Sequence, residues 1–131
     1  MRLLRDETTI FKWDAVMAAV LGASMVALAG ELHALAGGGL SSGALRAVGL
    51  ALLPWAAHNW FTGRAPLRTA HVMIQLGGDA TWLVSSVVII ATHAMNTVGT
   101  VIYVAQTLTV ACVFAAKLQA LRAHAAALRH Q

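Results

Sequence analysis

The sequence predicts an all-α membrane protein: a four-transmembrane-helix up-down bundle with both termini cytoplasmic. Three observations lead there. Of 131 residues, 59% are hydrophobic and 11% charged, whereas soluble domains carry about a quarter charged residues. Four runs of roughly 20 residues are nearly free of charge, which is the length needed to cross hydrocarbon. Basic residues sit in the leader, the second turn and the tail, and are absent from the first and third turns. That asymmetry orients a membrane protein with its basic segments inside.

The net charge of +4 and the isoelectric point near 10.3 do not indicate nucleic acid. The basic residues flank apolar segments and do not share a helix face with aromatics. Arg2, Arg5 and Lys12 before an apolar run, with Ala34-Leu35-Ala36 after it, imitate a secretory signal. The run is too long for one, however, and Asp6, Glu7 and Asp14 crowd its leading region. The single Cys112 permits no intramolecular disulfide.

In order, residues 1–12 read as a cytoplasmic leader, and Thr8 or Thr9 as a helix cap. The transmembrane domain, 13–117, holds helices at about 13–35, 44–61, 69–93 and 98–117. In the first, Ala15, Ala19, Ala23 and Ala27 recur every fourth residue, a stripe that admits another backbone. Glu31 continues the stripe, and the Gly37-Gly38-Gly39 turn brings Arg46 level with it. A structural ion pair between Glu31 and Arg46 is expected. In the second helix, Pro54 frees the carbonyl of Leu50. Residues 118–131 form an amphipathic cytoplasmic tail, apolar at Leu118, Leu121, Ala125 and Leu128, for the membrane surface or a partner.

The third segment carries the sharpest signal. His71, Gln75, Asp79, Trp82, Ser86 and His93 follow one another at helical steps and so share a face. Asp79 stands near the segment's midpoint. An ionisable residue at that depth faces protein or a water-filled cavity and marks a functional site by default. With Gln75 and Gln106 it makes a buried polar set, read first as a protonated acid hydrogen-bonded between helices and second as a proton site. Thr107, Thr109 and the Leu50 carbonyl are further expected partners.

Leu45-Arg46-Ala47-Val48-Gly49-Leu50 with Leu53-Pro54, Asp79-Ala80-Thr81-Trp82 and Tyr103-Val104-Ala105-Gln106 resemble segments of a widespread group of small, functionally uncharacterised bacterial four-helix membrane proteins. The resemblance covers most of the chain and implies the architecture, but no chemistry. Members of the group tend to carry Asn at the position of Asp79 and do not share these histidines as a set.

Other chemistry follows from residue type. His58 and His71 are equidistant from the second turn, and with Asn59, Trp60, Arg64 and Arg68 they outline a haem, quinone or lipid site at the cytoplasmic face. Haem b between axial imidazoles fits poorly, because His71 and His93 stand about 33 Å apart along one helix. A metal at the outer face would draw on Glu31, His33, His93 and Met95, but Glu31 and His33 diverge around the helix. No nucleophile–base pair or phosphate loop is present, so catalysis is not expected.

The leading functional expectation is a non-catalytic subunit of a larger assembly of respiratory or photosynthetic type in the bacterial inner membrane. It would contact lipid and other membrane subunits or further copies of itself. The alternatives are a haem- or quinone-binding electron carrier, and a small proton-coupled transporter using Asp79.

Overall fold

The computed structural model describes the backbone of residues 2–64 and 66–130 and the side chains of 8–64 and 66–130. Among them the chain is all helical: α1 Arg2–Ala27, α2 Ala29–Ala36, α3 Ser42–Thr62, α4 Thr69–Thr92 and α5 Thr97–Arg129. Three stretches are long and apolar enough to cross a membrane: Thr8–Ala27, Thr69–Thr92 and Thr97–Arg129. The second predicted crossing, now α3, falls outside that set, since Arg46, His58 and Asn59 dilute its apolar run.

Several boundaries differ from the prediction. The leader is helical from Arg2, so neither Thr8 nor Thr9 caps a helix, and the charges at Arg2, Arg5, Asp6 and Glu7 lie outside the described side chains. The first predicted helix breaks at Leu28, whose φ of −117° and ψ of 23° leave the helical region. Beyond Lys117, α5 continues as one helix of 33 residues, so the tail is an extension of the fourth predicted helix.

Helix starts follow local chemistry. The Ser41 hydroxyl accepts from the Ala44 amide at 3.2 Å to open α3, and Asn96 Oδ1 accepts from Gly99 at 2.8 Å to open α5. Both satisfy amides that a helix leaves unpaired.

The packed face of α1 and α2 carries Phe11, Ala15, Ala18, Gly22, Ala29 and Ala36, at steps of three, four and seven. Phe11 packs with residues of α4 and α5 and Ala36 lies against Gly99 of α5, while α1 makes its most extensive contact with α3. At the crossing, a Cβ on Gly49 would stand 2.6 Å from the Gly22 carbonyl oxygen, and one on Gly22 2.9 Å from that of Gly49. Only two glycines allow this approach. The alanine stripe is correspondingly displaced, for Ala15 is buried while Ala23 and Ala27 are exposed.

α4 packs along α5. The two helix pairs are tied at one end by their turns. Asn96 donates its amide to Ala36 O and its Nδ2 to Leu35 O, both at 3.0 Å. Gly39 donates to Ala94 O at 3.3 Å, and Leu40 to Tyr103 Oη at 3.3 Å. At Gly38, φ is 146° and a Cβ would meet Ala94 O at 2.0 Å, which explains the glycine run. At the other end Phe11, Val72 and Leu76 form a core with Leu67, Phe114, Leu118 and Leu121. The first part of the predicted tail thus packs on this chain, while Leu128 is exposed.

Candidate functional site

Lys117 is fully buried, and its Nζ donates to two carboxylates, Asp14 Oδ2 at 2.5 Å and Asp79 Oδ2 at 2.8 Å. Asn59, also fully buried, donates Nδ2 to the same Asp14 oxygen at 2.7 Å. The Phe11 ring lies under the ammonium, 5.8 Å from centroid to nitrogen. Four helices therefore contribute to one charged centre: Asp14 from α1, Asn59 from α3, Asp79 from α4 and Lys117 from α5.

Helix geometry explains how residues of unequal depth meet. Measured from the turn between α4 and α5, Asp79 lies about 20 Å down its helix and Lys117 about 30 Å down its own. Side chains lean toward the N-terminus of their helix. Lys117 therefore leans back toward the turn and Asp79 away from it, and the long lysine stem closes the gap. A lysine ammonium usually stays in water while its stem lies along apolar surface; this one is drawn inward by two acids.

In charge terms the centre holds two carboxylates against one ammonium, an excess of one negative charge when all three are ionised. Taking such groups out of water is costly unless they are paired and hydrogen-bonded. Several neighbouring polar atoms are buried with no partner among the described residues: Asn59 Oδ1, both amide atoms of Gln75, and His58 Nε2. Gln75 is 0% exposed and one helical turn from Asp79. Buried amides of this kind are normally satisfied by water or a bound species.

A cavity of about 740 Å³ begins at Asp14 and Asp79 and extends past Leu52, Trp55 and Trp82 to Gln106. The Trp55 ring lies against the bare backbone of Gly78, beside Asp79. A second cavity of about 260 Å³ shares Leu21, Val48, Trp82, Ser85 and Gln106 with the first and reaches Leu40 and Tyr103 near the turns. Trp82 Nε1 and Gln106 Nε2, on these shared walls, are buried without a partner among the described residues.

The predicted face on α4 is largely as expected: Gln75, Asp79 and Ser86 are buried and His71 and Trp82 half-buried, while His93 is exposed. The expected partners of Asp79 are not. Gln106 and the Leu50 carbonyl are not bonded to it, and Leu50 is exposed. The Thr107 and Thr109 hydroxyls bond back to Tyr103 O and Ala105 O on their own helix.

Glu31 and Arg46 are both exposed and not paired, and the ion pairs among the described residues converge on Lys117. The bend at Leu28 sits between the alanine stripe and Glu31, so the register assumed for that pair does not hold. His33 Nδ1 bonds with Leu40 O at 2.9 Å, and His93 Nδ1 with Thr92 Oγ1 at 3.0 Å. With Glu31 exposed, these residues do not converge as metal ligands, and no cluster of three or more such groups occurs among the described residues.

The cluster expected around His58 and His71 divides in two. His58 and His71 stack at 5.5 Å with 12° between planes, which agrees with their matched depth. Axial haem ligands must aim nitrogens at one iron from opposite sides of the macrocycle, and face-to-face rings at this distance leave no slot for it. Asn59 turns inward to Asp14. Trp60 and Arg64 face outward, the guanidinium 5.7 Å from the ring centroid, and Arg68 is exposed.

Asp14 and Lys117 were not expected at the site. Each lies near the cytoplasmic end of a predicted crossing, where a charge is ordinary. Little in the sequence marks them: Asp14 follows the charged leader, and Lys117 is soon followed by Arg122. Compared with known proteins, the chain matches no family model, no curated protein and no solved structure.

Proposed function

We propose that the chain is a small multi-pass protein of the bacterial inner membrane that couples uptake and release of a proton at Asp14–Lys117–Asp79 to movement of a solute. In this reading α3 is the fourth crossing; its 21 residues make it about 31 Å long, and both termini are cytoplasmic. One observation supports the reading above all: two buried carboxylates share one ammonium at the head of a cavity. Three ionised groups leave one unbalanced charge, which a single proton neutralises. Interior acids of this kind mark proton relays in pumps and transporters.

The competing reading makes the centre a fixed staple within a non-catalytic subunit. Infrared spectroscopy of the purified protein, titrated with acid, separates the two. The proposal expects a carbonyl band from a protonated carboxylic acid that grows with acidification and is lost in Asp14→Asn and Asp79→Asn. Absence of that band wherever the protein stays folded supports the staple. Native mass spectrometry from the protein's own membranes then reports the other subunits, or none.

A further inference from the structure

We propose that the cavity below Asp14 and Asp79 binds a lipophilic organic cation, and that this cation and the proton occupy the charged centre in exchange. The inference rests on the proton reading above and names the substrate class of the same site.

Four features define the ligand. The first is size. At about 740 Å³ the cavity falls within the range that holds drug-sized molecules, far more than a metal ion or a water chain requires. The second is wall chemistry. Leu21, Val48, Leu52 and Val110 line it, with Asp14 and Asp79 as the charged groups among its described lining residues. An anion is repelled from such a site and a strongly hydrated sugar or amino acid finds few partners there. The third is aromatic. Trp55 and Trp82 both line the cavity, and indole faces are the preferred aromatic surface for an organic cation. The fourth is access. Val16, Met17 and Val20 of α1 and Thr109 of α5 line the cavity and are also exposed. Ala51 of α3 and Thr81 and Ser85 of α4 do the same, so the cavity opens laterally between the two helix pairs, and a ligand dissolved among acyl chains enters from there.

Charge balance gives the exchange. With Lys117 ionised, one proton or one monovalent organic cation brings the centre to neutrality; both together leave it positive in a poorly hydrated interior. Binding of the cation therefore releases a proton from the carboxylate pair to water, and reprotonation expels the cation. Buried amide atoms of Gln75 and Asn59 without partners among the described residues supply polar contacts beside the pair for the water that carries the proton.

The test is titration of the purified full-length protein in mild detergent with tetraphenylphosphonium, in weak buffer with a pH indicator. The neutral triphenylphosphine oxide serves as control. The proposal expects saturable binding, release of up to one proton per cation bound, and no saturable binding of the oxide. Asp79→Asn should weaken binding at least tenfold. Because that variant removes a partner of Lys117 and can fail to fold, Val48→Phe provides a second test. It fills the space shared by both cavities without touching the carboxylates, and should weaken tetraphenylphosphonium at least tenfold while the acid-induced carbonyl band persists. Absence of saturable binding in protein that shows the carbonyl band overturns the ligand class and leaves the proton reading standing. Binding without proton release overturns the exchange, equal binding of the oxide overturns the cation class, and unchanged binding in Val48→Phe overturns the cavity as its site.

Discussion

Lys117 satisfies two acids at once, and each of the three depends on the other two. Removing one partner of a buried ion pair costs about 3–5 kcal/mol, while replacing the whole set with apolar or neutral groups is often tolerated. Lys117→Met alone should therefore lower thermal stability in detergent markedly, by an amount in that range. Lys117→Met with Asp14→Asn and Asp79→Asn should recover most of the loss. Equal stability of the single variant and wild type, followed by circular dichroism on heating, would show that the centre holds nothing together. Asp79 was legible in the sequence because it stands alone in the middle of an apolar run. Asp14 and Lys117 were not, because a charge beside Trp13 or at the expected end of a crossing has an ordinary interfacial explanation. The lysine stem spans the difference in depth, and residue counting alone does not reveal which way it leans.

At the scale of helices, the α1–α3 contact rests on Gly22 and Gly49. Gly49→Val places a side chain against backbone and should cost at least the 1–3 kcal/mol typical of overpacking. Ala23→Phe should be nearly neutral, since Ala23 is exposed; thermal unfolding of the two variants side by side checks both. The reverse ranking would restore the alanine stripe as the interface. That stripe is regular in sequence, yet a four-residue repeat drifts around a 3.6-residue helix. The actual packed face mixes steps of three and four, with glycine at the closest point. The turn residues carry a second prediction. Asn96 caps α5 and also binds Leu35 O, so Asn96→Ala should lose about 2 kcal/mol, a cap plus one further hydrogen bond. The glycine turn and the positions of α3 and α4 were readable from composition, whereas the bend at Leu28, with no proline to announce it, was not.

Over the whole molecule, two helix pairs are joined at their turns and at the Phe11 core, with the charged centre and its open-sided cavities between them. The proposed topology places both termini and the 63–68 turn on one face, and the 37–41 and 93–96 turns on the other. In a Cys112→Ala background, single cysteines in each segment of intact inverted vesicles should label in those two groups with an impermeant reagent. Labelling of the 37–41 and 63–68 turns from the same side would remove α3 from the membrane. The all-helical, membrane-compatible architecture follows from hydropathy, because length and composition suffice for it. The site required knowing which faces meet.

The most direct measurement uses the fact that Lys12 and Lys117 are the chain's two lysines. With Lys12→Arg, a ¹⁵N-lysine, ¹³C-aspartate sample in lipid gives one Nζ signal, that of Lys117. Dipolar recoupling should find two aspartate carboxyl carbons within hydrogen-bonding distance of that nitrogen. On acidification one carboxyl pair should move to the chemical shift of a protonated acid while Nζ remains an ammonium. A Nζ with a single carboxyl neighbour, or with two whose shifts stay fixed while the fold survives, would contradict the shared, proton-exchanging centre.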